Sequence, residues 1–134
     1  MANALYNSGK QALLRGELNL QDSAIAAALV STGYSFDTNL HTNTTSITAH
    51  ILGTPQVLTA KTTANGVFDA ADITYLALTA GAQARAVVLY RDTGVAATST
   101  LVAFIDTISG FPLATNGGDV TIQWDNGAFR IFSL

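Results

Sequence analysis

At 134 residues, with hydrophobic side chains at 49% and charged ones at only 11%, the chain can bury a core of its own and is too apolar to be disordered. A net charge of −3 with six Lys and Arg argues against a basic nucleic-acid-binding surface, so no nucleic-acid partner is expected. The absence of cysteine removes disulfides, zinc–thiolate centres and thiol nucleophiles.

Taken in chain order, Asn3 to Leu14 favours helix, with Leu5, Ala12 and Leu13 near one face and Gly16 placed as a C-cap glycine after Arg15. Gly9 works against that helix by about 1 kcal/mol of propensity. Residues 1–16 therefore read either as a short helix packed on a sheet edge or as a docking arm, with 17–134 forming a single β domain. Ser23 to Ser31 reads as a strand or buried segment. Its apolar run from Ala24 to Val30 is far short of the ~20 residues of a membrane helix, so no membrane partner is expected. The first fifteen residues carry Asn3, Asn7, Lys10, Gln11 and Arg15, which is not a signal-peptide pattern, and a cytoplasmic origin is expected.

Thr32 to Asn43 is rich in Gly, Ser, Asp, Asn and Thr and reads as a loop. Thr44 to Leu52 allows one or two helical turns, stopped by Gly53 and Pro55. Beyond Pro55 the pattern is β. Gln56 to Thr62 is a strand candidate, and Asn65-Gly66 marks a tight hairpin turn because both residues tolerate positive φ. Asp72 to Thr79 alternates. Ala82 to Arg91 and Thr100 to Asp106 are apolar on both faces, which places them centrally in a sheet. Asp92-Thr93-Gly94 turns the chain between them, and Ser109 to Gly118 is a Gly/Pro/Asn loop. Asp119 to Trp124 puts Val120, Ile122 and Trp124 on one face. It is expected to turn at Asp125-Asn126-Gly127 and pair with Ala128 to Ser133. Ile131, Phe132 and Leu134 then belong to a paired or partner-covered strand. Six to eight short strands with turn signals between them give a mainly β chain, an antiparallel β-sandwich of jelly-roll type with a short N-terminal helix or arm.

Asp92-Thr93-Gly94 matches the tripeptide of aspartic proteases, in which two carboxylates share a proton. It is also an ordinary turn, and the adjacent Arg91 opposes a shared-proton dyad. His41 and His50 lie near Asp37, but their spacing matches no metal motif, and the expected reading is surface or interface histidine. Asp69 and Asp72 could bind calcium or act as a glycosidase pair; a turn beside a strand is the simpler account. Asp119 and Asp125 read as turn residues. Asn116-Gly117-Gly118 lacks the following helix that phosphate binding needs. Trp124 alternates with core residues and reads as core, although Trp124, or Tyr75 and Tyr90, could form a sugar-stacking surface. No catalytic, cofactor-binding or metal-binding residues are therefore assigned, and no enzymatic activity is expected.

Three stretches resemble small virion structural proteins of tailed bacteriophages. They are Asn3-Ala4-Leu5-Tyr6-Asn7-Ser8-Gly9-Lys10, then Tyr90-Arg91-Asp92-Thr93-Gly94 with Leu101-Val102-Ala103-Phe104-Ile105-Asp106, and finally the run from Asn116 to Gly127. The similarity spans most of the chain and is clearest from Tyr90 onward. It implies a head-decoration, or cement, subunit: a small β-sandwich on the capsid exterior that clamps neighbouring major capsid proteins and has no active site. A tail- or fibre-associated subunit fits the same composition. A surface so poor in charge repels its own copies weakly, so a homo-oligomer, dimer or trimer, is also expected.

Overall fold

The computed structural model describes residues 4–21, 24–106, 108, 111–124 and 131–133. The chain is mainly β, with antiparallel sheets and one short helix near its N-terminus. In order the elements are β1 (Ala4–Leu5), α1 (Asn7–Leu14), β2 (Ile25–Ser31), β3 (Ile51–Val57), β4 (Thr62–Ala64), β5 (Val67–Asp69) and β6 (Ile73–Tyr75). There follow β7 (Gln83–Arg91), β8 (Leu101–Ile105), β9 (Leu113–Ala114), β10 (Val120–Ile122) and β11 (Phe132–Ser133).

The main sheet runs β1-β8-β7-β2-β3, with β9 added to the start of β7. Its three inner strands are buried along both faces, as their unbroken apolar runs require. One face carries Ile25, Ala27, Leu29, Val87, Leu89 and Ile105. Over it lie two small sheets, β10-β6 and β11-β5-β4, which contribute Phe68, Ile73, Tyr75 and Ile122 to the shared core. This layering is consistent with a β-sandwich. The Tyr75 phenol donates to Ala27 O (2.6 Å), where the β2–β3 register slips between Ala27 and Leu29. The other face carries Ala26, Ala28, Val30, Ala86, Val88, Tyr90, Leu101 and Phe104. Among the described residues no second sheet covers it. The loop 32–50, with its two short 3-10 turns at Thr44–Ser46 and Thr48–His50, lays Tyr34, Phe36 and Ile47 across it.

Several boundaries differ from the expected ones. The helix begins at Asn7 rather than Asn3, because Ala4 and Leu5 hydrogen-bond to β8 as an edge strand. Tyr6 N–H continues that pairing to Val102 O (2.9 Å), and the Tyr6 side chain is fully buried. The N-terminal segment is thus woven into the sheet edge. The helix ends as expected: Gly16 takes φ +71°, its N–H bonds Leu13 O, and Glu17 N–H bonds Ala12 O, a Schellman closure. The strand expected at 56–62 begins earlier, at Ile51, and carries Pro55 within a distorted edge, where a missing N–H is tolerated. Asn65 and Gly66 both have positive φ (54° and 75°) and close the β4–β5 hairpin, as the dipeptide predicts.

The expected final hairpin does not form between its two described strands. β10 pairs with β6, and β11 pairs with β5. The turn proposed at 125–127 and residues 128–130 lie outside the described residues. Alternation correctly placed Ile122 and Trp124 inward, but it reports which face is buried and says nothing about the neighbouring strand.

Gly9 overturns its sequence reading. A Cβ there would sit 2.7 Å from Val102 Cα and 2.9 Å from Val102 O, so only glycine lets α1 lie directly on β8. Gly9→Ala should therefore destabilise the protein by about 1–3 kcal/mol, as overpacking does, despite alanine's better helix propensity. Urea denaturation of the two proteins measures this; a more stable variant would contradict the close-packing account.

Candidate functional site

The residues with the richest chemistry gather where the loop 32–50 covers the sheet. Tyr34 follows the turn after β2, its N–H bonding Ser31 O (3.1 Å). Its ring is buried and meets three elements. Its hydroxyl bonds Tyr6 Oη (2.7 Å), from the junction of β1 and α1, and His41 Nδ1 (2.8 Å), from the same loop. The His50 ring is also close to it, with centroids 5.9 Å apart. Arg85 donates from Nη1 to Tyr34 O (2.5 Å), and its guanidinium lies 5.5 Å from the Phe104 ring centroid. Phe36 stacks on Phe104 at 4.5 Å and meets Tyr6 edge-on at 5.0 Å.

A slip in strand register explains how Arg85 reaches this face. Val30 pairs with Ala86 while Ser31 pairs with Ala84, so Arg85 is the extra residue of a β-bulge. The bulge turns its side chain toward the loop, where the guanidinium finds a carbonyl and an aromatic face. The small side chains of Ala26, Ala28 and Ala86 leave a shallow floor on which the large rings fit.

The two phenols at the centre of the cluster are tightly bonded and held protonated. Burial pushes Tyr6 far above the ordinary phenol range, reinforced by its bond to Tyr34. Burial likewise raises Tyr34, with Asp37 adding to the rise while the Tyr6 hydrogen bond and Arg85 oppose it. Asp37 caps its own turn by accepting from Leu40 N–H (2.8 Å) and Asn39 N–H (2.9 Å). These backbone donors, helped by nearby His41, hold its carboxyl below the usual range. Neither phenol is poised as a nucleophile or base near neutral pH.

The structure thus brings His41 and His50 to one ring, with Asp37 near His41. Among the described residues no group of three or more His, Asp or Glu side chains could hold a metal ion. Asp92 accepts from Gly94 N–H (2.9 Å) in an exposed turn, which gives this carboxylate a local structural role. Asp72 accepts the Trp124 backbone N–H (3.0 Å), while the Trp124 indole N–H donates to Ala71 O (3.0 Å). Asp72 therefore secures a core tryptophan. Trp124, Tyr75 and Tyr90 are all buried, so the three rings do not form a stacking surface for sugars. Asp119 accepts the Ala77 N–H (2.8 Å), where Ala77 takes a positive φ of 47°. Asn116 bonds Gly118 N–H (3.0 Å) and closes its own turn.

Two surface grooves carry little chemistry. One of about 350 Å³ is lined by Ile51, Gly53, Leu78, Ala80, Gly81 and Thr115 among others, with no ionisable side chain. The second, about 230 Å³, lies beside α1 between Gln11, Arg15, Glu17, Thr42 and Thr100. Several large apolar side chains stand in solvent, led by Leu14 at 89% and Leu40 at 78% exposure, with Leu76, Val57 and Val95 also exposed.

Arg85, Tyr6, Phe36 and Phe104 were absent from the candidates drawn from sequence. The one available signal was the pair Tyr34 and Phe36 inside an otherwise polar loop, which needs an apolar surface to rest on. The chain matches no protein-family model and no curated protein sequence.

All four tyrosines have raised phenol ionisation, from burial in each case. Their contribution to stability is complete below the unfolded value of about 10 and is lost as pH rises above it, because the unfolded chain releases protons that the folded chain keeps. Alkaline titration should therefore show phenolate absorbance appearing together with loss of the far-ultraviolet circular dichroism. Tyrosines ionising independently in a folded protein would contradict the assigned burial.

Proposed function

We propose that the protein is a non-enzymatic structural subunit of a tailed-bacteriophage virion, a decoration or cement protein that binds the outside of the head and clamps neighbouring major capsid proteins. The observation that carries this reading is the set of large apolar side chains, Leu14 and Leu40 foremost, exposed on a chain with only 11% charged residues. Such side chains favour contact with other protein. Burying one fully contributes about 1.5–3 kcal/mol, and many copies on a repeating lattice add by multivalency. The stretches similar to phage virion proteins support the same reading. Subunits of the assembled shell are then homo-oligomers that dock on capsid protein and are made in the host cytoplasm.

Incubating the purified protein with empty capsids and sedimenting the mixture tests the reading, alongside antibody labelling of intact virions. Binding and label spread over the head are expected. Leu14→Asp and Leu40→Asp, at positions that add little to the core, should each weaken binding by roughly tenfold or more. Label confined to the tail would replace this reading with a tail- or fibre-associated subunit, and no label on virions would overturn both.

A further inference from the structure

We propose that the Asn65-Gly66 turn is a site of spontaneous covalent modification, at which the Asn65 side chain closes onto the Gly66 nitrogen, loses ammonia and is opened by water to a carboxylate. The described part of the chain holds two Asn-Gly pairs, Asn65-Gly66 and Asn116-Gly117. Glycine suits the chemistry in both, because a residue without Cβ leaves its nitrogen open to approach. Water is the only co-reactant. The Gly66 amide gives its proton to hydroxide, and its nitrogen bonds Asn65 Cγ. The Cγ–Nδ2 bond breaks, and Nδ2 leaves as ammonia with a proton from water, which restores the hydroxide. A second water then adds to one carbonyl of the cyclic imide and breaks its bond to nitrogen. Opening at Cγ leaves an aspartate at position 65. Opening at the main-chain carbonyl leaves isoaspartate, which routes the backbone through Cβ and Cγ.

The fold treats the two pairs differently. Asn65 and Gly66 stand exposed at the tip of the β4–β5 hairpin. Among the described residues neither the Asn65 carboxamide nor the Gly66 N–H makes a hydrogen bond. β4 is exposed at all three of its residues and, among the described strands, pairs only with β5. The tip therefore rotates toward ring closure at the expense of one short edge ladder. Asn116 is held instead. Its Oδ1 accepts Gly118 N–H (3.0 Å), a bond that is lost if the carboxamide turns its face to Gly117 N. The residues on either side are pinned to the 77–82 stretch, through Thr115 N–H to Ala82 O (2.9 Å), Thr115 Oγ1 to Thr79 O (2.7 Å) and Leu78 N–H to Gly118 O (3.1 Å). Modification at position 65 adds one negative charge to a chain of net charge −3. Its isoaspartate form also lengthens the turn that sets the β4–β5 register. β5 stays anchored, because Phe68 lies in the core and pairs with Phe132 of β11.

Incubating the native protein at mildly alkaline pH, below the phenol range, and reading each asparagine by tandem mass spectrometry tests this. Position 65 should show first the loss of ammonia and then the mass gain of NH2 replaced by OH. Its conversion should run about tenfold or more ahead of that at position 116, where hydrogen bonds must break before the ring can close. In urea, which removes the fold, the two positions should convert at similar rates. Asn65→Gln, whose longer side chain closes a larger ring more slowly, should lose the change at 65. An unmodified position 65, or equal conversion of 65 and 116 in the native protein, overturns the proposal. So does a mass gain at 65 that persists at the same rate in Asn65→Gln. An Asn116 that stays equally slow in urea also overturns it, because its resistance would then lie in the local sequence and not in the fold.

Discussion

Burial of β2, β7 and β8 on both faces is the constraint from which the other features follow. A sheet with one apolar face needs one cover; this one needs two. The chain supplies them by unlike means. On one side the short strands β4, β5, β6, β10 and β11 form small sheets whose Phe68, Tyr75 and Ile122 fill the core. On the other, a loop that reads as polar carries just enough large rings to close the surface, seated on alanines that give them depth. Hydrogen-bonding capacity buried by that loop must also be met. Arg85 meets a carbonyl of the loop, and the hydroxyls of Tyr6 and Tyr34 meet each other and His41.

The central strands were legible because their evidence is local. Continuous apolar runs at 83–91 and 101–105 signal burial on both faces, and Asn65-Gly66 and Gly16 announce the backbone conformations they adopt. Partners were not legible, because pairing is a long-range choice. The alternation at 120–124 is satisfied equally by the neighbour expected, further along the chain, and by the one found, β6. Gly9 illustrates a related blind spot. Propensity scales register what glycine does to an isolated helix, whereas its value here comes from a strand ninety-odd residues away.

The Tyr34 cluster was hidden for the same reason. His41, Tyr34 and Tyr6 come from segments whose separation in sequence carries no motif, and Arg85 reaches them only through a register slip. Conversely, the carboxylates that looked most like chemistry are spent on backbone N–H groups. Asp92 closes its own turn, Asp72 holds the Trp124 backbone, and Asp37 caps the bend before His41. Short carboxylates beside glycine or asparagine serve backbone geometry before anything else.

The outer strand β3 has a consequence for how molecules so weakly charged can meet one another. Strand rims left bare invite fibre-like stacking of sheet upon sheet, and electrostatic repulsion offers this chain little protection. Pro55, lacking an amide proton, and the kink around it interrupt the ladder that a stray strand would have to zip along. Backbone pairing along that margin is interrupted at Pro55, so contacts there fall more to side chains, which are the more selective groups.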